Sequence, residues 1–282
     1  MTSAENSSPV IAPQDLRLEH FSEEHLDAAL QLSQQVGWPH RIEDWALNAS
    51  VSRGVVALEG GRVVGTAFCT VFGDVALLNM IIVDARMRGR GLGRRVMEAV
   101  IAMAGPREMR LVATQEGLPL YEKLGFSAIG QIAQHQGIAK SVIPDLPVSD
   151  GDSGDVERLA AMDRTASGMA RIELLRRIAG QGQVLLAEDG FAMLREFGRG
   201  HVLGPVVARD AATARALIAE GVRRCAGGFL RVDLPLERGL SDHAASLGLA
   251  HVGGGTAMTC RAAIAPEQKD FTTYALVSQA LG

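Results

Sequence analysis

The stretch Arg88-Gly89-Arg90-Gly91-Leu92-Gly93 combines arginine and glycine in a pattern that suits phosphate binding. Its three glycines stand at alternate positions, so the backbone can turn tightly and approach a ligand without obstruction by Cβ. The stretch opens a predicted helix, whose free N–H groups and positive dipole end favour an anion. Arginine side chains, which suit phosphate oxygens, surround it: Arg86, Arg88, Arg90, Arg94 and Arg95. The sequence therefore predicts a phosphate-binding loop.

Two familiar phosphate loops fit this stretch less well. A Walker A loop needs Gly-Lys-Ser or Gly-Lys-Thr, and neither occurs in the chain. A dinucleotide fingerprint needs glycine at the position of Arg94 and an early βαβ unit. The remaining alternative is a glycine-rich turn with solvated arginines.

The elements around the loop predict how it is held. Val75 to Val83 is apolar on both faces, as in a strand at the centre of a sheet. From Arg94 to Ala104 apolar residues recur at helical spacing. Strands on either side of Gly60-Gly61 form a predicted hairpin. These elements predict an α/β (α+β) fold in which a mixed, largely antiparallel sheet is flanked by helices.

The order of predicted elements then repeats. Residues 1–12 are a polar, disordered lead-in, and residues 13–142 form the first domain, whose last strand is Phe126 to Ile132. A linker rich in Pro, Asp, Ser and Gly covers 143–154. Residues 155–282 repeat the order helix, helix, hairpin, long strand, helix, strand. We interpret the chain as a degenerate tandem duplication.

Composition limits the partners. A chain of 282 residues is suited to two domains, and its apolar stretches are too short to cross a membrane. The cysteines (Cys69, Cys225 and Cys260) are far apart, which fits a reducing cytoplasm, and no metal-ligand spacing occurs. Few aromatic residues and a net charge of −4 argue against binding to nucleic acid.

The residues from Gly54 to Phe126 resemble the GNAT superfamily of acyl-CoA-dependent N-acetyltransferases. The family's signature is Arg or Gln, two residues, Gly, one residue, then Gly or Ala, which the stretch from Arg88 to Gly93 matches in full. The residues Tyr121-Glu122-Lys123-Leu124-Gly125-Phe126 resemble the family's later segment. The whole chain is similar to bacterial two-domain members of the YitH type, in which the second acetyltransferase-like domain is degenerate.

The resemblance implies acetyl-CoA as co-substrate and an amine that attacks the thioester directly. The pantetheine chain would add to the strand Asn79 to Val83, with a backbone N–H near Ile82 as oxyanion donor. Tyr121 would protonate the departing thiolate, or else only anchor its helix to the core. The residues expected to bind the cofactor are Met80, Ile81, Ile82, Val83, Arg88, Gly89, Arg90, Gly91, Leu92, Gly93, Arg94 and Thr114.

The sequence does not identify a general base. The central strand carries Asn79 and Met80 where many relatives have glutamate. Glu59 and Asp74 are expected to be solvated, and Glu116 either lies near the thiol or begins the short helix. Asp163 and Arg164 are expected to form a surface ion pair, with a place in the acceptor pocket as the alternative.

The second half is expected to complete the acceptor pocket without binding CoA. Its equivalent of the phosphate loop is Gly204 to Asp210, and Asp210 would place a carboxylate at the anion site. The leading function is acetylation of a small-molecule or peptide amine by a cytoplasmic enzyme, with homodimerisation left open. The alternative is a non-catalytic acyl-CoA sensor that regulates a partner.

Overall fold

The structure is a computed structural model, and it describes residues 16–262 and 270–282. The predicted lead-in at 1–12 lies outside the described residues. The first half has these strands: β1 Leu16–His20, β2 Arg53–Glu59, β3 Arg62–Phe72, β4 Val75–Val83, β5 Glu108–Ala113 and β6 Ser127–Ile138. Its helices are α1 Leu26–Gln35, α2 Ile42–Ser50, α3 Leu92–Ala104 and α4 Leu118–Lys123.

The second half repeats this order with different lengths. Its strands are β7 Ser149–Gly151, β8 Gln183–Ala187, β9 Gly190–Phe197, β10 Gly200–Ala208, β11 Phe229–Pro235, β12 Ala250–Cys260 and β13 Thr272–Ala275. Its helices are α5 Val156–Ser167, α6 Ile172–Gln181, α7 Ala211–Arg224 and α8 Ser241–Ser246.

The described strands form one sheet that runs through both halves. Its order is β1-β2-β3-β4-β5-β12-β6-β11-β10-β9-β8-β7, with β13 paired to β10. Most neighbours are antiparallel, and β4–β5 and β10–β11 are the parallel pairs of the described sheet. The expected fold class, a largely antiparallel sheet flanked by helices, is therefore confirmed.

The halves are joined by exchanged strands. β12 comes from the second half but lies between β5 and β6 of the first. β6 in turn pairs with β11 of the second half. Each half therefore needs strands from the other, although the predicted division at 143–154 stays a prediction.

Apolar side chains cover both faces of the sheet. α3 and α4 pack on one face of the first half, around Val96, Val100 and Tyr121. α1 and α2 pack on the other face, where Trp45 is fully buried, as its position in a helical stripe predicts. No helix in the described parts of the chain has the length and apolar character to cross a membrane.

Several local predictions need correction. The predicted strand Phe126 to Ile132 is too short and starts one residue early, since β6 covers Ser127–Ile138. α3 starts at Leu92 because Gly91, at φ 77°, is already its N-cap. Within the predicted linker, Ser149–Gly151 form β7 and pair with β8.

Candidate active site

An opening lies between β4 and β5. Their parallel pairing covers Val75 to Leu77 on β4 and ends at Arg110 on β5, although β4 continues to Val83. On its other side β4 pairs with β3 as far as Val83, and β5 pairs with β12. The strands therefore separate beyond Leu77, and the edge of β4 from Leu78 to Val83 has no strand partner there among the described residues.

A bulge in β4 lies at this opening. Met80 has φ 49°, a left-handed conformation that is unusual for a side chain other than glycine. The register with β3 shifts at this point, between the pairs Thr66↔Ile82 and Phe68↔Asn79. The Thr66 hydroxyl donates a hydrogen bond to the Met80 carbonyl at 2.7 Å, which fixes that carbonyl toward β3. The bulge thus turns the peptide groups of Met80 and Ile81 out of the regular ladder pattern.

The glycine-rich loop follows directly after this strand. Gly89 and Gly91 have φ values of 76° and 77°, where side chains are strained, and no atom lies within 4 Å of a Cβ built on either. Gly91 leads into α3, whose first internal hydrogen bond runs from the Arg95 N–H to the Gly91 carbonyl. The N–H groups of Leu92, Gly93 and Arg94 precede that bond and have no intrahelical acceptor. The loop therefore offers backbone donors and open space at a positive helix end.

The arginines around the loop have different roles. Arg86 and Arg62 hold the buried Asp84, which begins the turn into the loop, and these contacts keep the pKa of Asp84 well below its usual range. Arg90 pairs with Glu59 at 2.9 Å. The guanidinium of Arg88, the first residue of the loop, is exposed and contacts no acceptor among the described residues. Part of the arginine cluster is therefore structural, whereas Arg88 and Arg95 are exposed and contact no acceptor among the described residues.

Tyr121 lies on α4 close to Gly117. Its side chain is 7% exposed, and burial raises its pKa to about 12. A Cβ at Gly117 would lie 3.3 Å from the Tyr121 hydroxyl oxygen and closer still to the ring, so glycine there leaves the phenol its space. Within the described residues the hydroxyl makes no hydrogen bond, and it is not sealed from solvent. The phenol is thus a neutral donor without a protein acceptor.

Of the carboxylates considered for the base, Asp74 is exposed as expected, and Glu59 and Glu116 are held by neighbouring groups. Glu59 was expected to be solvated, but its side chain is mostly buried and pairs with Arg90 and Arg62. Glu116 is exposed, and its own backbone N–H, followed by the Thr114 hydroxyl, holds its pKa below the usual range. A carboxylate with a lowered pKa is a poor proton acceptor.

The expected surface pair of Asp163 and Arg164 is wrong. Asp163 is fully buried and pairs with the buried Arg171 at 2.8 Å, whereas Arg164 is exposed. Arg171 also donates to the carbonyls of Leu281 and Gly282, and a Cβ on Gly282 would lie 3.2 Å from Leu77. The Asp163–Arg171 pair therefore holds the segment 276–282 under the place where β4 and β5 separate.

A buried polar cluster lies where the two halves meet, and the sequence reasoning missed it. It contains residues from α2 and the segment before it, from β9, and from β11: His40, Asp44, Arg195, Phe197, Arg231 and Asp233. Asp44 accepts hydrogen bonds from the backbone N–H groups of Arg41 and Gly198, which ties the first half to the second. In the sequence, Arg231 stands between the apolar residues Leu230 and Val232 of a predicted strand, and this pattern alone does not indicate whether the arginine is buried.

Comparisons with known proteins agree with this geometry. Residues 50–128 and residues 159–275 each match a family model described as an acetyltransferase (GNAT) domain. A protein of Bacillus subtilis (strain 168) named "Uncharacterized N-acetyltransferase YitH" is 30% identical over 279 residues, which cover 92% of this chain and 96% of that protein.

Solved structures share the fold. A crystal structure of a putative acetyltransferase from Pyrococcus horikoshii has a TM-score of 0.81 at 17% identity and covers 99% of this chain and all of that one. A GCN5-related N-acetyltransferase from Kribbella flavida has a TM-score of 0.58 at 22% identity, with 88% of this chain and 71% of that chain covered.

The β4–β5 opening beside a glycine-rich helix N-terminus, together with two consecutive matches to acetyltransferase (GNAT) domain models, defines a tandem-domain acetyltransferase. The chain belongs to the GNAT family of N-acetyltransferases.

Proposed function

We propose that this protein transfers an acetyl group from acetyl-CoA to an amine by direct attack, with the first half binding the donor. The observation that carries the proposal is the open edge of β4 from Leu78 to Val83, followed at once by the free N–H groups of α3. An extended pantetheine chain needs an unpaired strand edge, and a pyrophosphate needs backbone donors. Both lie next to each other along the chain.

The residues around the opening have distinct parts in this proposal. The backbone of Met80, Ile81, Ile82 and Val83 would hold the pantetheine amides, and Thr114, directly after β5, would contact the cofactor as well. The loop from Arg88 to Arg94 would hold the pyrophosphate. The open geometry at Gly89 and Gly91 fits such a group, because a ligand can approach the backbone closely.

Acetyl-CoA supplies an activated acyl group, and the chain's residues would stabilise the charges that develop as it reacts. A backbone N–H beside the Met80 bulge would donate to the carbonyl oxygen as it becomes negative. Tyr121 would donate its hydroxyl hydrogen to the departing sulfur. With a pKa of about 12, this phenol acts mainly as a hydrogen-bond donor to a thiolate of much lower pKa.

The test is release of free CoA thiol from acetyl-CoA across a panel of amines, with product masses recorded. The proposal predicts amine-dependent thiol release and a product heavier by one acetyl group. Tight acetyl-CoA binding with no turnover of any amine would instead favour the acyl-CoA sensor. Absence of acetyl-CoA binding would contradict both.

A further inference from the structure

Buried arginines in this protein have a common way of satisfying the guanidinium group. Arg171 donates from Nε and Nη2 to the two carboxylate oxygens of Asp163, at 2.8 Å each. Arg231 uses the same edge toward Asp233, with Nε at 3.1 Å and Nη2 at 2.9 Å. This side-on fork matches the spacing of carboxylate oxygens.

Arg195 is an exception among the described arginines with buried side chains. Its side chain is 5% exposed, yet Nε is buried without a partner and Nη2 has no acceptor among the described residues. Its contacts come from Nη1, which donates to the Glu196 carbonyl at 3.2 Å and lies 3.5 Å from Asp44. The edge of the guanidinium that binds a carboxylate in Arg171 and Arg231 therefore has no acceptor among the described residues in Arg195.

The charge of Arg195 is only partly balanced. Asp44 is shared, because Arg41 also lies 3.5 Å from it and two backbone N–H groups donate to it. Burial lowers the pKa of Arg195 to about 10, so the guanidinium still carries its charge at neutral pH. A buried cation with unused donors is costly unless a ligand completes it.

Aromatic side chains surround this edge of Arg195. The Phe197 ring lies beneath both guanidinium groups, 5.0 Å from Arg195 and 5.4 Å from Arg231. The His40 ring contacts Phe197 edge-on at 5.3 Å, and its Nδ1 is buried without a partner in the described chain. The unpaired edge of the Arg195 guanidinium thus lies near the Phe197 ring and the unpaired Nδ1 of His40.

Packed side chains connect the surroundings of Arg195 with the β4 bulge. The His40 ring lies 6.5 Å from Trp45, which packs in the same apolar cluster as Met80 and Ile82 of the β4 bulge. On the other side Gln279 donates to Asp233, and the neighbouring Ala280 packs against the cluster that contains Met80. The surroundings of Arg195 and the bulge in β4 are therefore joined by side chains in direct contact.

We propose that the Nε and Nη2 groups of Arg195 bind a carboxylate of the acceptor, so that the acceptor is a small amine that also carries a carboxylate, such as an amino acid. His40 Nδ1 contacts the same end of the molecule, and Phe197 packs against its apolar part. This inference rests on the proposed acetyltransferase function, and it assigns the second half a place in acceptor recognition.

The experiment compares α- and ω-amino acids with their carboxamides as acceptors of acetyl-CoA. Each pair, such as lysine and lysinamide or β-alanine and β-alaninamide, is compared at equal concentration of unprotonated amine, because amidation lowers the pKa of an α-amine. The variant is Arg195→Met. The control is Arg209→Met, since Arg209 also stacks at 5.0 Å on a phenylalanine but is exposed, with Nε donating to Asp189.

The expected result is a kcat/KM for at least one amino acid about 10- to 100-fold above that of its carboxamide, the effect of one charge-assisted hydrogen-bonded contact. Arg195→Met abolishes the preference mainly through KM, and Arg209→Met keeps it. Carboxamides that react as well as the acids, or a preference that survives Arg195→Met, would overturn the inference while leaving acetyl transfer intact. Should Arg195→Met fail to fold, the comparison of acid and carboxamide in the unaltered protein decides alone.

Calorimetric titration of the same amino acids into the CoA-saturated protein separates the two proposals. If no amine is acetylated, the proposed function fails, and binding still tests the inference. Binding of an amino acid, absent for its carboxamide and lost in Arg195→Met, supports the carboxylate site. Absence of binding by every acid would overturn it.

Discussion

In each half a helix begins directly after a long central strand, but the residue that caps the helix N-terminus differs between the halves. In the first half the N-cap of α3 is Gly91, and the first helical N–H groups stay free. In the second half the N-cap of α7 is Asp210, whose carboxylate accepts a hydrogen bond from the Thr213 N–H at 2.8 Å. That backbone contact also lowers the pKa of Asp210, so the site keeps its own anion at neutral pH.

The strands that precede these two helices, β4 and β10, also differ in whether one edge is free or covered. β4 has no partner beyond Leu77 on its β5 side in the described chain, whereas β10 pairs there with β13. The Leu276 N–H, directly after β13, also donates to the Asp233 carbonyl of β11 at 2.9 Å. β13 therefore occupies the position in the second half that a pantetheine chain would occupy in the first.

The difference shows that two copies of one architecture need not share one activity. The second half keeps the strand order but fills the anion site with Asp210 and the open edge with β13. Its buried Arg195, whose Nε has no partner in the described chain, instead lies beside Asp44 of the first half. We infer that it lost the donor site and became part of the acceptor site.

The largest predicted effect comes from replacing Gly91 with glutamate. The side chain would be strained at φ 77° and would bring a negative charge to the pyrophosphate position. Acetyl-CoA affinity should fall by at least about 100-fold, as measured by calorimetry. Gly227→Glu is the matched control, because Gly227 has φ 81°, an equally open surrounding and a position in the second half. Equal affinities in the two variants would contradict the assignment of the loop.

Tyr121→Phe should have the next largest effect. Loss of the hydroxyl should lower kcat about 100-fold, the lower end of the range of a general-acid contribution, and leave acetyl-CoA binding unchanged. Tyr274→Phe, at the chain's other tyrosine, in β13, should retain full turnover. Unaltered kcat in Tyr121→Phe would reduce Tyr121 to a packing residue of α4.

The pH dependence of turnover tests the same side chain more finely. Burial disfavours the phenolate and raises the pKa of Tyr121 to about 12, so the hydroxyl keeps its proton through neutral and moderately alkaline pH. The rate should rise as the acceptor amine loses its proton and show no falling limb near pH 10. A falling limb near about pH 10, the ordinary tyrosine pKa, that disappears in Tyr121→Phe would contradict this environment.

The smallest predicted effect concerns Asp210→Ala. Removal of the cap on α7 should cost about 1 kcal/mol and lower Tm by a few degrees. It should not create a second acetyl-CoA site, since β13 still covers the edge of β10. Calorimetry that detects a second equivalent in this variant would show that Asp210 alone closes the second half.

The sequence predicts the local elements around the donor site well, because each is set by neighbouring residues. The turn at Gly60-Gly61, the two-sided apolar pattern of β4 and the glycines before α3 all act over a few positions. The insertion of β12 between β5 and β6 was not predictable in this way, since its partners lie more than a hundred positions earlier. Gly253, Gly254 and Gly255 also interrupt its strand pattern.

The burial of Arg195 likewise could not be predicted from the local sequence. In the sequence, the consecutive charges Arg195 and Glu196 between Leu194 and Phe197 read as the solvated end of a strand. Its burial depends on residues before and within α2 of the first half, which pack against β9 through Asp44 and Pro39. Such a contact follows from the tertiary fold and leaves no local pattern.

The number of acetyl-CoA molecules bound per chain tests the central claim most directly. Calorimetric titration of the intact protein should give one equivalent, and Gly91→Glu should abolish it. Two equivalents in the intact protein, or one equivalent that survives Gly91→Glu, would contradict the division of labour between the two halves.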